Sequence, residues 1–320
     1  MVSHFGSSLS GVGGYRPSRV VDNEELAART TVSPQWIVER TGIRTRHYAA
    51  ADEDVVGMAA EAGRRALAMA GIVKREVDLV ILATASRRTR VPGGAPQVAS
   101  LLGLEIAGAF DINAVCAGFT YALAIASAAV RCGDARHVLI VASERMSEWV
   151  RPESPETFVI FGDGAGAAVV SRSAEENIGP PVWGSDGARA YILGMAPGPG
   201  AEHPIMNGPL VYRWATNKLP SVARLACERA GFELSDIAWL VCHQANQRII
   251  DAVASRLDFP AERVARDVID TGNTSAASVP LALSRLCETG RISPGDLVLM
   301  LGFGAGLTFS GQVVRMLWIN

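Results

Sequence analysis

Residues 64–86, RRALAMAGIVKREVDLVILATAS, indicate the architecture because the chain repeats their pattern 160 positions further on. There, residues 224–245 read RLACERAGFELSDIAWLVCHQA. In both copies an Ala-Gly pair ends a helix-like run, an acidic residue follows, and an apolar run typical of a buried strand comes next. The offset is half of the 320 residues, so the sequence predicts two related halves packed together.

The same offset recurs at two further places along the chain. It pairs Ala122-Leu123 with Ala282-Leu283, and it pairs residues 138–140 (VLI) with residues 298–300 (VLM). Agreement at three places in one order favours internal duplication over coincidence.

Short apolar runs alternate with helical periodicity in each half, which is typical of α/β folds with layered sheets. The runs LVILATA, HVLIVAS and LVLMLGF carry few charges, as strands buried on both faces do. Helical spacing of apolar residues is clearest at 54–70 and 220–230. We predict one half at 1–173 and the other at 174–320, with the Gly- and Pro-rich residues 174–210 forming an excursion or lid.

The composition excludes several classes of protein. Apolar residues make up 49% of the chain and charged residues 19%, so intrinsic disorder is excluded as the main state. Thirty basic and 32 acidic side chains give a net charge of -2, from which we expect no general nucleic-acid binding. Residues 112–130 are uncharged over nearly the length of a membrane span, but their seven alanines and the preceding strand-like AFD favour a buried helix and no membrane association.

The five cysteines favour a reducing compartment. Their number is odd, no CxxC pair occurs, and no Cys/His set has the spacing of a zinc site. We therefore expect no disulfide scaffold and no metal site, and a cytoplasmic location. The opening residues MVSHFGSSLSGVGGYRP show neither the basic region nor the apolar core of a secretory signal.

Cys116 stands at the predicted start of a helix, in DINAVCAGFTYALA. The free N–H groups and partial positive charge of a helix N-terminus lower the pKa of a thiol and favour the nucleophilic thiolate. The alternative is a small buried apolar side chain, which is our interpretation of Cys132, Cys227 and Cys287. The 160-residue offset aligns Cys116 with Ala276 and places Asn273 just before a second, equivalent helix start.

His243 lies at the carboxyl end of a predicted strand, in CHQAN, where open α/β sheets bind their ligands. The alternative is a core histidine whose hydrogen bonds are satisfied. The Gly-rich turn GFGAGLTFSG lacks the lysine of a phosphate-binding loop, and it fits backbone N–H groups aimed at an oxyanion. We expect surface roles for the other four histidines, His4, His47, His137 and His203.

These motifs together resemble the thiolase-fold condensing enzymes, and in particular the 3-oxoacyl-(acyl-carrier-protein) synthase III family. The resemblance rests on VCAGFTYAL around Cys116, CHQAN around His243 and TGNTSAAS around Asn273, and it runs from about Leu9 to the C-terminus. WIVERTGIRTRH, FGDGAGAA and GFGAGLT also match the family pattern. The resemblance implies a five-layered αβαβα fold of two pseudo-equivalent halves, usually homodimeric, with a Cys-His-Asn triad and no metal or tightly bound cofactor.

The resemblance also implies a reaction in two steps. Cys116 takes an acyl group from an acyl-CoA starter while the backbone N–H groups of Cys116 and Ala305 hold the oxyanion. Malonyl-acyl carrier protein (malonyl-ACP) then loses CO2 beside His243 and Asn273, and the resulting enolate attacks the acyl-cysteine.

Further positions match family residues that contact substrates. The implied contacts with CoA and substrate are Trp36, Arg40, Arg248 and Phe303. The implied acyl pocket contains Phe161 and, supplied across the dimer interface, Val91. The implied contacts with acyl carrier protein are Arg213, Arg248 and Arg256.

The chain departs from the family pattern at Pro155 and Pro209, where side chains that contact CoA are expected. At Val91 the small side chain predicts a pocket for larger or branched acyl groups. The arginines that precede it favour an anionic starter or a carrier protein, or else form a solvated loop: Arg87, Arg88 and Arg90. Two alternatives stay open: a specialised acyltransferase or pyrone-forming condensing enzyme with an ACP-bound donor, and a non-catalytic partner subunit.

Overall fold

The structure is a computed structural model that describes residues 5–196 and 202–317. Its strands are β1 (Gly6–Tyr15), β2 (Arg19–Asp22), β3 (Thr45–Tyr48), β4 (Leu79–Ala83), β5 (Gly108–Ile112), β6 (His137–Arg145), β7 (Asp163–Ser173), β8 (Val182–Ser185), β9 (Leu193–Ala196), β10 (His203–Met206), β11 (Trp239–Cys242), β12 (Leu297–Gly304) and β13 (Thr308–Arg315). Its α-helices are α1 (Asn23–Ala27), α2 (Pro34–Thr41), α3 (Val55–Ala70), α4 (Ala95–Leu102), α5 (Gly118–Cys132), α6 (Pro155–Phe158), α7 (Gly208–Ala230), α8 (Gln247–Arg256), α9 (Val268–Thr271) and α10 (Ser278–Glu288).

Two sheets share one strand order. The first sheet runs β1-β7-β6-β4-β5 and the second runs β8-β13-β12-β11. The 160-residue offset places β4 and β6 on β11 and β12, and β7 and β13 are the strands that follow them in each half. In both sheets the first two of these strands pair in parallel and the last two pair antiparallel. In the second sheet, the position that corresponds to β5 is occupied by one isolated parallel bridge between Leu240 and Val264. The predicted pseudo-equivalence of the halves is therefore confirmed.

Five layers result from how the helices pack on these sheets. α3 and α4 cover the outer face of the first sheet, and α7 and α8 cover the outer face of the second. α5 and α10 lie between the sheets and contact both. The predicted αβαβα fold is confirmed.

The Ala-Gly pairs of the repeat end α3 and α7 as the sequence indicated. Gly71 and Gly231 adopt left-handed conformations, with φ of 64° and 76°, and their N–H groups return to carbonyls of the last helical turn. The helical pattern at 220–230 covers only the end of α7, which begins at Gly208 and continues through Pro220. The sequence suggests a start near 220 because proline usually opens a helix.

The uncharged stretch predicted as a buried helix forms α5. By length and composition alone Val115–Cys132 could cross a membrane, and it is the one such stretch in the described part of the chain. Phe119, Leu123 and Val130 are buried in the core between the two sheets. Their burial explains the lack of charge without a bilayer.

Two expectations from the sequence need correction or limits. His137 does not have a surface role: it is buried, and its Nδ1 lies 2.8 Å from the Ser171 hydroxyl, because β6 is covered on both faces. His47 and His203 are half-buried, and His4 lies outside the described residues. The excursion predicted at 174–210 contains β8 and the β9–β10 hairpin. Its residues 197–201 lie outside the described residues.

Candidate active site

Two matched turns between the sheets position the site. Each precedes one of the central helices, and each contains a non-glycine residue in the left-handed region: Val115, with φ of 47°, and Ser275, with φ of 50°. These two residues are 160 positions apart in the sequence. Such backbone is uncommon outside glycine and concentrates at functional sites. The first turn presents Cys116, and the second connects Asn273 to α10.

Gly304 at the end of β12 packs directly against the first turn. A Cβ atom at this position would lie 2.8 Å from Cys116 Cβ and 2.9 Å from Cys116 N, so only glycine fits. Ala305 follows immediately and is half-buried. The GFGAG turn thus approaches the Cys116 backbone closely, as the sequence predicted; its role in holding an oxyanion stays a prediction.

One cavity of about 810 Å³ brings together three side chains that are distant in sequence, Cys116, His243 and Asn273. The other predicted substrate contacts that line it are Trp36, Arg40, Phe161, Arg248 and Phe303. Leu193 and Met206 of the β9–β10 hairpin also line this cavity, so the predicted excursion forms part of its wall. Within residues 5–196 and 202–317, no three His, Cys, Asp or Glu side chains are placed to hold a metal ion together.

The ring of His243 is oriented by Ser278. Its Nδ1 lies 2.6 Å from the Ser278 hydroxyl oxygen, which also accepts the Gln244 backbone N–H at 3.2 Å. A serine hydroxyl can accept one hydrogen bond and donate another, so we assign its hydrogen to Nδ1 and the ring proton to Nε2. Burial lowers the pKa of His243 to about 3, so the ring is neutral at physiological pH. His243 is therefore a neutral hydrogen-bond donor.

Asn273 has its amide direction set in the same segment. Its Oδ1 accepts the Ser275 backbone N–H at 2.8 Å, which leaves the NH2 group available to a bound molecule. The Asn273 backbone also pairs with the segment that precedes β7. Asn273 N donates to the Ile160 carbonyl at 2.9 Å, and Gly162 N donates to the Asn273 carbonyl at 3.0 Å. Asn273 is thus a second rigid donor in the cavity.

Cys116 is held as a neutral thiol. Burial raises its pKa to about 12, and its Sγ lies 3.4 Å from the Ser275 hydroxyl. The expectation that the helix N-terminus lowers this pKa was wrong, because desolvation of the thiolate outweighs the backbone N–H groups. A reaction at Cys116 therefore needs an acceptor for the thiol proton.

The mouth of the cavity carries aromatic and basic side chains. The Arg40 guanidinium lies 5.9 Å from the Trp36 ring centre, and that of Arg248 lies 5.8 Å from the Tyr212 ring centre. Pro209 and Glu156 line the same cavity. This mouth can bind a flat ring and anionic groups beside it.

Three predicted contacts lie away from the cavity. Val91 is 86% exposed on the loop before α4. Arg213 lines a separate cavity of about 600 Å³ together with Lys218. Arg256 hydrogen-bonds the Thr216 carbonyl and, at 2.6 Å, the Asn217 side chain. Arg256 thus ties α8 to α7, although its prediction as a carrier-protein contact is untested.

The arginines before Val91 all bind groups of their own chain. Arg87 donates to the Pro92 carbonyl at 2.7 Å, and Arg90 lies 3.8 Å from the Glu202 carboxylate. Arg88 lies 3.5 Å from the Glu148 carboxylate, with its guanidinium 4.7 Å from the Trp149 ring centre. These contacts favour the solvated-loop interpretation over an anion site.

Sequence reasoning missed several residues of the site. Ser275 and Ser278 lie inside the motif TGNTSAAS, but the motif alone does not indicate what these two side chains do. Glu144 is fully buried beside Ser275 and Ala276. A signal in the sequence could have indicated Glu144. The 160-residue offset pairs Glu144 with Gly304, the residue that packs against Cys116.

The five layers, with one cavity shared by cysteine, histidine and asparagine side chains, define the class of a thiolase-fold condensing enzyme. Two family profiles match the chain. The profile described as 3-oxoacyl-[acyl-carrier-protein (ACP)] synthase III matches residues 110–187, and that of its C-terminal part matches residues 227–316. The chain belongs to the 3-oxoacyl-(acyl-carrier-protein) synthase III family, and the resemblance predicted from its motifs is confirmed.

Full-length relatives support this assignment. Beta-ketoacyl-[acyl-carrier-protein] synthase III 4 of Streptomyces coelicolor is 48% identical over 98% of this chain and 99% of its own. The synthase III of Mycobacteroides abscessus is 44% identical over 96% of this chain and 94% of its own. The crystal structure of the priming beta-ketosynthase from the R1128 polyketide biosynthetic pathway superimposes with a TM-score of 0.97, at 42% identity, over 100% of this chain and 99% of its own.

Proposed function

We propose that this enzyme condenses an acyl-CoA starter with malonyl-ACP by decarboxylation and gives 3-oxoacyl-ACP, CoA and CO2. This reaction would prime fatty-acid or polyketide synthesis. The observation that carries the proposal is the convergence of Cys116, His243 and Asn273 on one cavity in a member of this family.

In the first step the Cys116 sulfur attacks the starter thioester and becomes acylated. The tetrahedral oxyanion would accept hydrogen bonds from Cys116 N–H and Ala305 N–H. The second half supports this assignment. Ala276, the counterpart of Cys116, directs its N–H toward a carboxyl oxygen of Glu144 at 3.4 Å, so an oxygen acceptor occupies the equivalent place there.

In the second step malonyl-ACP places its thioester carbonyl between His243 Nε2–H and the Asn273 NH2 group. Both donors are neutral and are oriented by the backbone and hydroxyl groups of one segment. They stabilise the negative charge that builds on this oxygen as CO2 leaves. The enolate then attacks the acyl-cysteine, and no strong base is needed.

The cavity mouth supports a CoA starter. The Trp36 ring can stack on a purine, and the nearby Arg40 and Arg248 can pair with phosphates. Arg213 and Arg248 would bind the acidic carrier, with Arg256 beside them.

A second candidate keeps Cys116 but takes an ACP-bound donor. Pro155 and Pro209 lack a backbone N–H and a polar side chain, and Glu156 adds a negative charge to a mouth that would receive phosphates. This candidate includes a specialised acyltransferase and a pyrone-forming enzyme. Release of CO2 from the malonyl group separates condensation from plain acyl transfer.

A second copy of the chain would complete the enzyme. β5 is an edge strand of the first sheet, yet apolar side chains on it and near it are exposed: Phe110 by 41%, Ile106 by 78% and Val91 by 86%. An unpaired apolar edge is normally covered. We propose that two copies pair along β5 and that Val91 of each reaches the acyl pocket of the other, where Phe161 lies.

Two further assignments stay proposals. The five cysteines are all free, which supports a reducing, cytoplasmic location. The division into halves at residues 173 and 174 is supported by the end of β7 at Ser173, since every strand of the second sheet follows it.

The test is the intact mass of the protein after incubation with acetyl-, butyryl- and isobutyryl-CoA, with Cys116→Ala as control. We expect one acyl adduct that the variant lacks. No adduct from any CoA ester, followed by an adduct from an acyl-ACP, would support the second candidate. No adduct from either donor would refute both and leave the non-catalytic subunit.

A further inference from the structure

Arg46 is a fully buried arginine that the two steps above do not use. It lies on β3, inside the motif WIVERTGIRTRH, and is 0% exposed. Among the described residues no carboxylate forms an ion pair with its guanidinium, which hydrogen-bonds only to neutral groups. Burial lowers its pKa from 12.5 to about 10, so the side chain is still charged at neutral pH. Burying an unpaired charge costs free energy unless hydrogen bonds satisfy it, so its partners indicate what Arg46 holds together.

The Arg46 guanidinium joins segments that are distant in sequence. Its Nη1 donates to Asn23 Oδ1 at 2.8 Å and to the Val21 carbonyl at 3.4 Å, and its Nη2 donates to the Val159 carbonyl at 2.7 Å. Asn23 is itself anchored, because its Nδ2 donates to the Ile43 carbonyl at 2.9 Å. The guanidinium is planar and rigid, so it fixes the Val159 carbonyl relative to β2 and the start of α1.

Val159 directly precedes the segment that holds the backbone of Asn273. The next residue, Ile160, accepts the Asn273 N–H, and Gly162 donates its own N–H to the Asn273 carbonyl. The Val159 carbonyl that Arg46 binds is therefore one residue away from this pair of hydrogen bonds.

The stem of Arg46 contacts the same backbone. A Cβ atom at Gly162 would lie 3.1 Å from Arg46 Cβ, and one at Gly272 would lie 3.0 Å from it. Both contacts are closer than side chains normally approach, so glycine at these two positions lets β3 lie directly against the backbone around Asn273. Head and stem of Arg46 thus both support the segment that presents the Asn273 amide.

The nucleophile is supported by other elements. The turn that presents Cys116 packs against Gly304 of β12. In the described part of the chain, the hydrogen bonds of the Arg46 side chain go to Val21, Asn23 and Val159, and none goes to that turn. Loss of Arg46 should therefore disturb Asn273 more than Cys116.

We propose that Arg46 is a positioning residue for the second step: it fixes residues 159–162 and so keeps the Asn273 amide directed at the thioester carbonyl of malonyl-ACP. This inference rests on the proposed function. Arg46 touches no substrate in this role and acts only through the backbone that pairs with Asn273. Since acylation of Cys116 does not use the Asn273 amide, the two steps should respond differently to the loss of Arg46.

The test compares the two steps in Arg46→Met, which keeps an unbranched buried side chain but removes its donors. Intact mass follows acylation at a saturating concentration of the acyl-CoA that gives the adduct. Release of labelled CO2 from malonyl-ACP follows condensation on enzyme that is already acylated. We expect condensation to fall about tenfold relative to acylation, the effect of losing one hydrogen bond that places Asn273. Arg46→Lys keeps the charge but not the planar pair of donors, so it should restore little of this loss.

Gln312→Met is the matched control for a general loss of stability. Gln312 is a buried residue of β13 in the second sheet, and its Nε2 donates to the Gly179 carbonyl at 2.7 Å. The variant therefore also deprives one backbone carbonyl of a buried donor. We expect it to keep the wild-type ratio of condensation to acylation.

Three outcomes would overturn the inference: an equal loss of both steps in Arg46→Met, the same selective loss in Gln312→Met, or full restoration by Arg46→Lys. Should neither Arg46 variant fold, Asn23→Ala decides, because it removes the acceptor that anchors the other end of the guanidinium. A selective fall in condensation then supports the proposal, and an unchanged ratio refutes it. A wild type that is acylated but releases no CO2 would refute the proposed function itself, whereas a wild type that performs both steps with an unshifted ratio in the variants refutes only this inference.

Discussion

At the scale of single residues, the segment 273–278 contacts or orients each of the three proposed catalytic side chains. Asn273 is oriented by the Ser275 backbone, Cys116 contacts the Ser275 hydroxyl, and His243 is fixed by Ser278. One short turn with its helix start thus aligns the proposed nucleophile and the two proposed donors. Precise placement of this kind reduces the reorganisation that the reaction requires.

Asn273→Ala should separate the two steps. We expect near-normal acylation of Cys116 but a loss of roughly 10²–10³-fold in condensation, because one donor to the enolate oxygen is removed. Asn273→Asp, which keeps the acceptor for Ser275 N–H but not the donor, should also condense poorly. Release of labelled CO2 from malonyl-ACP is the measurement. Condensation by Asn273→Ala at the wild-type rate would contradict the role of this residue.

Ser278→Ala should allow the His243 ring to adopt either neutral tautomer. We expect the Nδ1–H form to appear in 15N NMR spectra of the imidazole and condensation to fall by about tenfold, the value of one hydrogen bond. Ser284→Ala, a buried serine of the same helix α10 that bonds Glu288 instead, is the matched control. An unchanged 15N spectrum in Ser278→Ala would show that another group fixes the ring.

Buried His243 should make stability depend on pH. Its pKa falls from 6.5 to about 3 on folding, so the unfolded chain binds a proton that the folded chain refuses as pH drops below 6.5. The free energy of unfolding should therefore fall, by up to about 1.4 kcal/mol per pH unit from this group, between pH 6.5 and 3. Urea unfolding of the wild type and His243→Gln measures it. Parallel pH profiles of the two proteins would contradict the assignment.

At the scale of elements, the edge strand β5 is the element that we propose to form the dimer interface. A single charge on its exposed apolar surface should prevent pairing. We expect Phe110→Lys to be monomeric by light scattering, whereas Leu225→Lys, at an exposed apolar position on α7, stays dimeric. A dimeric Phe110→Lys would place the interface elsewhere.

Elements were predicted from sequence where the pattern is local. The two Ala-Gly helix ends and the apolar strands followed from periodicity and turn chemistry. The start of α7 did not, because Pro220 lies inside a helix that packing on the second sheet sustains. His137 appeared exposed for the same reason: its neighbour on β7 is distant in sequence.

Site residues were predictable where a motif carries them and not where packing does. Cys116, His243 and Asn273 each stand in a short motif, so the resemblance predicted them, and the structure places all three on one cavity. Glu144 has no such motif; it reaches the site only because β6 lies beside the 275–277 turn. The raised pKa of Cys116 likewise depends on burial, which a helix-start pattern does not reveal.

At the scale of the whole molecule, Val91 should act on the partner subunit. We expect Val91→Trp to acylate with acetyl-CoA but to reject isobutyryl-CoA. Mixing it with Cys116→Ala, which keeps Val91 but cannot be acylated, should restore the isobutyryl adduct on the Val91→Trp chains in heterodimers. Intact mass after subunit exchange measures this. Without restoration, Val91 does not complete its neighbour's pocket.

The matched turns before α5 and α10 have a consequence for the number of acyl groups that one chain can bind. The duplicated fold offers two equivalent positions for a nucleophile, but the second holds Ala276, whose N–H already points to the carboxyl group of Glu144. Restoring a thiol there with Ala276→Cys would therefore not double the output of the enzyme. The first half holds the proposed nucleophile and the second holds the two proposed donors, so we expect each chain to bind one acyl group at a time whatever the concentration of the starter.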